Sequence, residues 1–542
     1  MEKARIFYRP RIDRIGLGLL VSIFLLLLTN RTFWSKIHLY LAAQPAAIWM
    51  LYLGMAALFT AAVTLLSVGP LAKPVYSLLI VAAAIGSWFT DRFGVVIDAD
   101  MVRNAFQTTP AEAGHLITTG FLVHMLLFAA LPIGLVFWLR TIRRPFLQSA
   151  MRKAVVIAAC LLVAGGVALG FSKSYATAIR QHKDILQSLN PATPIDGTIK
   201  FLMQAGETAY IAAQPIGTDA RIVASAPGKP RVTIIVAGET ARAANFSLGG
   251  YARDTNPELA RQDIVYFPKA TSCGTATATS IPCMFSMFPR ARYSHRKGLE
   301  NEGLLDVLSH AGADVAWWDN NTGSKGVADR VTFIDLVKIA DPRFCADGEC
   351  QDSVLLDRLD AWLDSVEKDS VLVLHTIGSH GPTYYLRYPP EFRRFTPDCR
   401  TAELANCTDA EIVNAYDNTI LYTDHVLSTI IDALKARSGT LETSMIYMSD
   451  HGESLGENGL YLHGTPYFLA PDFQTHIPFL VWMDPAFMRS TGLDRACMLA
   501  AAGKPASHDN LFHSVLGMMN VRTKVYDPGL DVFAGCRKAV SS

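Results

Sequence analysis

The strongest constraint on the fold is a series of five long apolar runs in the first third of the 542-residue chain. Most of them approach the roughly 20 residues that an α-helix needs to cross the hydrocarbon core of a membrane, and the first and third are borderline. We therefore predict a transmembrane domain of five helices at residues 1–172. The runs cover residues 15–34, 47–68, 75–89, 121–139 and 154–171.

The first run has a second interpretation, because it also resembles a secretory signal peptide. Lys3 and Arg5 precede it, and small residues follow near Ala42. Four further apolar runs come later in the chain, so a membrane location is predicted whether or not this segment is removed.

Basic residues in the short loops indicate the orientation. Arg143, Arg144 and Arg152 lie between the fourth and fifth runs, which places that loop and the basic N-terminus in the cytoplasm. Residues 91–118 lack such an excess of positive charge and should lie outside. Five crossings then place everything after about residue 170 on the outer side.

Cysteine usage agrees with this placement, because eight of the nine cysteines follow the last apolar run and only Cys160 lies within a run. An even number outside the membrane is typical of an oxidising compartment. Eight cysteines allow 105 pairings, of which pairing between neighbours is the simplest. A cytosolic zinc site of four cysteines is the alternative, but the chain has no CxxC pair. The eight are Cys273, Cys283, Cys345, Cys350, Cys399, Cys407, Cys497 and Cys536.

The residues beyond the membrane runs divide into a bridging helix with a linker at 173–229 and a larger domain at 230–542. Strand-like RVTIIVAG, VAWW, VLVLHT, SMIYMSD and PFLVWM alternate there with amphipathic, helix-like segments. That alternation predicts an α/β domain with a mostly parallel sheet. The net charge of +1 provides no broad basic surface, which excludes a nucleic-acid partner.

Polar residues follow four of these strands, where a parallel sheet binds its ligands. Glu239, Asp319, His375 and the pair Asp450–His451 take these positions. Each alone fits a structural cap or ion pair, but together the carboxylates and imidazoles suit a catalytic zinc ion.

The segment from Cys273 to Cys283 is the candidate nucleophile loop, with hydroxyls at Thr275, Thr277 and Thr279. A helix starting there would present free backbone N–H groups to a phosphoryl group. A threonine needs a lowered pKa to attack, so it should also contact the metal. A Ser/Thr-rich capping turn is the structural alternative.

Several motifs closely resemble the lipid A phosphoethanolamine transferases, a family that includes the mobile colistin-resistance enzymes. They are Gly238-Glu239-Thr240, Cys273-Gly274-Thr275-Ala276-Thr277, Trp318-Asp319-Asn320-Asn321, the His375 to Tyr385 segment and the Ser449 to Glu457 segment. The resemblance spans the whole chain and implies five membrane helices before an outer domain of alkaline-phosphatase-like fold.

The resemblance also implies roles for individual residues. It assigns Zn²⁺ to Glu239, Thr277, Asp450 and His451, with Thr277 as the nucleophile, and a second metal or the substrate phosphate to His380 and His463. It assigns substrate binding to Asn321, Thr322, Lys325, His375 and Glu453, and the ethanolamine head group to Asn104, Thr108 and Glu112. The last three recur every four residues, although Pro110 interrupts a regular helix there.

The activity that the resemblance implies is transfer of phosphoethanolamine from phosphatidylethanolamine to lipid A at the outer side of the bacterial inner membrane. Diacylglycerol would leave and a phosphothreonine would form on a monomeric, multi-pass enzyme in the lipid bilayer. A core-sugar acceptor, a related glycerophosphotransferase or phosphohydrolase, and a non-enzymatic membrane receptor are the alternatives.

Overall fold

The computed structural model describes residues 9–208, 211–223 and 228–537. The chain forms two compact units: Met1–Val102 with Ile117–Phe201, and Arg103–Leu116 with Leu202–Ser542. The short segment between two membrane helices therefore belongs to the same unit as the C-terminal domain. Lys3 and Arg5 lie outside the described residues.

The first unit is helical and apolar. Among the described residues, four helices are long and apolar enough to cross a membrane, at Pro45–Leu66, Gly69–Phe93, Thr119–Trp138 and Phe146–Gly170. Leu162 and Leu169 on the last of these are 78% and 79% exposed, which suits a helix that faces lipid.

The first predicted helix is broken rather than continuous. It forms Arg14–Leu28 and Arg31–Tyr40, which meet at 62° and give a fifth span only if counted together. Asn30 explains the break, because its Nδ2 donates to Leu25 O (2.8 Å) and to Asn190 O (2.7 Å). Thr29 Oγ1 also donates to Leu25 O, and such side-chain bonds compete with the helical ladder.

The segment after the last span differs from the single bridging helix that we predicted. It contains three helices, Ser172–Gln181, Asp184–Gln187 and Ala192–Thr208. Pro191 and Pro194 explain why the third helix starts at Ala192. Proline is tolerated at the beginning of a helix, because the N–H groups of the first turn have no partner within the helix.

An eight-stranded sheet organises the second unit. Numbered along the chain, its strands are β1 Arg231–Gly238, β2 Val265–Thr271, β3 Asp314–Asp319, β4 Thr332–Asp335, β5 Ser370–His375, β6 Glu442–Ser449, β7 His476–Met483 and β8 Ala506–Ser507. In space they follow the order β8-β2-β7-β6-β1-β5-β3-β4. Strands β6, β1, β5, β3 and β4 are parallel, as predicted, whereas β7 runs antiparallel to β6 and β2, so the sheet is mixed.

Both faces of this sheet are covered. Ile235 and Ala237 of β1 join one core cluster, while Ile234 and Val236 join the other, as the two-residue repeat of a strand requires. The long helix Asp409–Ala436 packs in the second cluster and begins with a capping box between Thr408 and Glu411.

Four disulfides join neighbouring cysteines of the second unit. They link Cys273 to Cys283, Cys345 to Cys350, Cys399 to Cys407 and Cys497 to Cys536, and Cys160 is free. The pairing between neighbours therefore agrees with the structure. Covalent loops of this kind restrict the unfolded chain and stabilise the folded domain.

Candidate functional site

A cluster of three potential metal ligands lies at the carboxyl edge of the sheet. Glu239 follows β1, and Asp450 and His451 follow β6, so two adjacent parallel strands end beside each other. The three side chains are fully buried, and their ligand atoms all lie within 4.8 Å of one another. His451 Nε2 lies 3.2 Å from Asp450 Oδ2 and 3.5 Å from Glu239 Oε1.

The electrostatics of this cluster favour a cation. Burial and the neighbouring Glu239 carboxylate raise the pKa of Asp450 well above its ordinary value. Burial lowers the pKa of His451 and so favours the neutral imidazole that binds metal ions. Asp450 Oδ2 is buried and makes no hydrogen bond in the described part of the chain, because the contact with His451 Nε2 at 3.2 Å does not have hydrogen-bond geometry. Carboxylate and imidazole donors of this kind fit zinc.

Thr277 is the threonine of the nucleophile loop that meets this cluster. Its Oγ1 donates to Glu239 Oε2 at 3.0 Å and lies 3.4 Å from His451 Nε2. Thr275 Oγ1 donates instead to Thr465 O, and the buried hydroxyl of Thr279 has no partner among the described residues. The geometry therefore singles out Thr277 among the three candidates.

The backbone around Thr277 is suited to an anion. A helix begins at Thr277 and runs to Met284, and Cys283 within it is bonded to Cys273 before it. The first-turn N–H groups of a helix have no partners in its own ladder, and the helix dipole adds positive potential there.

Three residues support the cluster in a way that the sequence did not predict. Thr240 donates its N–H to Asp450 Oδ1 (3.0 Å) and its hydroxyl to Glu239 Oε1. Asn321, predicted to bind substrate, donates to Glu239 Oε2 at 2.9 Å and to Thr376 O. His508 accepts from the Cys273 N–H (3.0 Å) and donates to Ser449 O (2.9 Å).

Two further histidines lie beside the cluster. The ring centroid of His463 is 4.4 Å from that of His451 and 5.3 Å from that of His380. His463 Nδ1 bonds Glu453 Oε2 at 2.9 Å, and Tyr384 donates its hydroxyl to Glu453 Oε1. The predicted site residues His380, His463 and Glu453 are thus brought together. His375, also predicted to bind substrate, instead forms a hydrogen bond from Nδ1 to Asp319 Oδ1 (2.7 Å), which joins the ends of two strands.

His380 also meets Glu112 from the segment between the membrane helices. Its Nε2 lies 3.1 Å from Glu112 Oε1, and both residues belong to the second unit. Burial opposes a charge on His380, but Glu112 outweighs it and raises the pKa to about 9. Burial likewise opposes a charge on Glu112, yet His380 lowers its pKa below the ordinary value. The pair is therefore ionised at neutral pH.

Asn104 and Thr108 do not share a helix with Glu112. Asn104 lies on the helix Ala99–Gln107, whereas Glu112 lies on a separate helix, Pro110–Leu116. The polar stripe predicted from the four-residue spacing is therefore divided between two helices. Thr108 Oγ1 donates to Asn104 O at 2.9 Å, which terminates the first helix.

Lys325 is half-buried rather than a solvated surface residue. Its Nζ donates to Thr322 O (2.8 Å) and Gln107 O (3.4 Å), and burial lowers its pKa. Thr322 donates its N–H to the side chain of Asn321 (2.7 Å). These hydrogen bonds connect Lys325 to the end of the helix that carries Gln107.

Comparisons with known proteins agree with this architecture. The family model described as Sulfatase matches residues 231–521, and the model described as phosphoethanolamine transferase EptA/EptB matches residues 55–205. Phosphoethanolamine transferase EptA of Salmonella typhimurium is 39% identical over 543 residues, which cover 98% of this chain and 99% of that one. The chain belongs to the phosphoethanolamine transferase family.

Two further members support the assignment over the full length. Phosphatidylethanolamine transferase Mcr-1 of Escherichia coli is 35% identical over 96% of this chain and 97% of its own. The integral membrane phosphoethanolamine transferase EptA of Neisseria meningitidis superposes with a TM-score of 0.95 at 35% identity, covering 98% of this chain and 100% of that one. The Neisseria relative is an integral membrane protein, and this chain is a multi-pass protein of the bacterial inner membrane with its catalytic domain in the periplasm.

Proposed function

We propose that this phosphoethanolamine transferase moves phosphoethanolamine from phosphatidylethanolamine to lipid A through a covalent adduct on Thr277. The observation that carries the proposal is the position of the Thr277 hydroxyl, 3.0 Å from Glu239 and 3.4 Å from His451 within a buried ligand cluster. The names of the relatives described above support phosphoethanolamine as the transferred group. We propose that the catalytic domain spans residues 230–542.

Glu239, Asp450, His451 and Thr277 would hold one Zn²⁺. The unpartnered Asp450 Oδ2 and the closeness of two buried carboxylates support this assignment. A bound zinc ion would lower the pKa of the threonine hydroxyl and offset negative charge on the phosphoryl oxygens. Asn321 and Thr240 would keep both carboxylates oriented through the hydrogen bonds described above.

In the first half-reaction, Thr277 Oγ1 attacks the phosphorus and the bond to the glycerol oxygen breaks. The threonine proton leaves along its hydrogen bond to Glu239 and is finally passed to the glycerol oxygen, so that diacylglycerol departs as the neutral alcohol. The charged His380, together with His463 and Lys325, would stabilise the phosphoryl oxygens during the transfer. Glu112 would attract the ammonium of the donor through its opposite charge.

In the second half-reaction, a phosphate oxygen of lipid A attacks the phosphothreonine. The bond from phosphorus to Thr277 Oγ1 breaks, the proton of the attacking phosphate passes to Thr277 Oγ1 to regenerate the hydroxyl, and modified lipid A leaves. Both substrates are lipids of one membrane, so a single membrane-bound polypeptide acting as a monomer can meet them in turn.

Purified full-length protein should release labelled diacylglycerol from phosphatidylethanolamine that carries a fluorescent acyl chain. Thr277→Ala should abolish that release, because no other hydroxyl of the loop reaches the cluster. Thr279→Ala, two residues along the same helix, is the matched control and should keep the activity. Mass spectrometry should show lipid A heavier by one phosphoethanolamine with the wild type and with Thr279→Ala, but not with Thr277→Ala. Full activity in the Thr277 variant would contradict the proposal.

A further inference from the structure

The external helix Pro110–Leu116 makes a second polar side-chain contact within its own unit, besides that of Glu112 with His380. His115 lies three residues after Glu112, nearly one turn along the same face of this helix. Its Nε2 is 3.0 Å from Glu349 Oε2, with side-chain exposures of 23% and 14%.

Glu349 in turn binds Arg387 through both of its oxygens. Arg387 Nη1 is 2.8 Å from Oε2 and Nη2 is 2.9 Å from Oε1, and the arginine side chain is only 2% exposed. A bidentate pair of this kind fixes direction as well as distance.

Arg387 returns to the histidine that pairs with Glu112. Its Nε donates to His380 O at 2.9 Å, and its Nη2 donates to Thr383 Oγ1 at 3.2 Å. The contacts therefore close a ring that runs from Glu112 through His380, Arg387, Glu349 and His115 back to the external helix.

The hairpin that carries Glu349 is shaped to meet the external helix. It consists of Cys345–Ala346 and Glu349–Cys350 and is closed by the disulfide between its cysteines. Gly348 in its turn has φ +84°, and a Cβ there would lie 3.2 Å from Ala111 Cβ. Hairpin and helix are thus in close contact at this point.

Open space lies beside this contact. A cavity of about 550 Å³ is bordered by His115, Glu349 and Arg387. In the described part of the unit, the attachment of the external helix beside His380 therefore includes the polar contact between His115 and Glu349 in addition to packing.

We propose that Glu349 and His115 are positioning residues that hold Glu112 against His380 and so keep the donor head-group site assembled. The inference rests on the proposed function, because that function defines the site that they would hold. Neither residue reaches Thr277 or the metal-ligand cluster. Loss of either would let the external helix shift, and misplacing a binding group by about 1 Å can reduce a rate by roughly 100-fold.

The test uses full-length protein in detergent and acyl-labelled phosphatidylethanolamine, with diacylglycerol release as the readout. We expect Glu349→Gln and His115→Ala each to raise KM for the donor about tenfold, as loss of supporting contacts commonly does, with a smaller change in kcat. The double variant should be little worse than either single variant, because both break the same attachment. Zinc content and Tm of His115→Ala should match the wild type, which a general structural defect would not allow.

Asp347→Asn is the matched control. It removes one negative charge from the same hairpin, two residues before Glu349, and asparagine tolerates the positive φ of 52°. Its KM should equal that of the wild type. If Glu349→Gln does not fold because Arg387 loses its partner, His115→Ala decides alone.

An unchanged KM in His115→Ala, or an equal rise in Asp347→Asn, would overturn the inference. Absence of diacylglycerol release by the wild type would instead remove the proposed function, so the two failures are distinguishable.

Discussion

At the scale of single residues, His508 connects the two chain segments that meet at the ligand cluster. It is 1% exposed, accepts from the N–H of Cys273 before the Thr277 helix and donates to Ser449 O beside Asp450. Burial, with a contribution from His451, lowers its pKa to about 4, so it keeps the neutral form that both bonds require.

Replacing His508 by alanine should therefore destabilise the catalytic domain and slow transfer. Two buried backbone groups would lose their partners, at a total cost of about 2–4 kcal/mol. Thermal unfolding and diacylglycerol release measure the two effects. His425→Ala, at an exposed pair with Glu258, is the control and should change stability by less than about 0.5 kcal/mol. A His508 variant as stable and active as the wild type would contradict the bridging role.

The Glu112–His380 pair should make stability depend on pH. The pKa of His380 is raised to about 9 from 6.5, so its contribution is complete below pH 6.5 and disappears as the pH rises through about 9. The pKa of Glu112 is lowered from 4.5, so its contribution holds above pH 4.5 and is lost at more acidic pH. Between these limits, Glu112→Gln should lower the free energy of unfolding by about 3 kcal/mol.

Melting temperatures of the wild type and Glu112→Gln, measured from pH 5 to 10, check this prediction. The two curves should differ most between about pH 5 and 6.5 and converge above about pH 9. A difference that grows with rising pH would contradict the assigned ion pair.

At the scale of elements, the Cys273–Cys283 disulfide braces the start of the Thr277 helix. Replacing both cysteines by alanine should lower the free energy of unfolding by about 2–3 kcal/mol for a loop of this length. The rate of transfer should fall by more than this loss of stability explains, because the start of the Thr277 helix is no longer held in place. The Cys399–Cys407 pair closes a similar loop and is a matched control. Its removal should lower Tm comparably and leave the kcat of the folded fraction unchanged.

The sequence predicts the parallel centre of the sheet well, because Val, Ile and Leu fill its strands and ligand residues follow them directly. It does not reveal β2, where Pro268 and Lys269 interrupt the apolar pattern, or β4, which has only four residues. It likewise shows Glu239, Asp450 and His451 as a group but not the contacts of Thr240 and His508. Those depend on how loops from distant parts of the chain meet, which no local pattern encodes.

At the scale of the whole molecule, the catalytic unit includes a segment inserted between two membrane helices. A fragment that starts at residue 202 would contain the complete ligand cluster but not residues 103–116. We expect it to bind zinc as tightly as the full chain and to release diacylglycerol with a much higher KM for the donor. Calorimetric zinc titration and donor kinetics in the same micelles test both points. An equal KM in fragment and full chain would exclude a role for Glu112 in binding the donor.

Thr277 is only 4% exposed, and its three neighbours in the cluster are completely enclosed. Water would have little access to an ester formed at that oxygen, so the loaded protein should survive until the correct lipid arrives. A cell would then lose few phospholipids to futile cleavage when acceptors are scarce. Intact-mass measurement after donor addition alone should accordingly find a long-lived, heavier form of the chain.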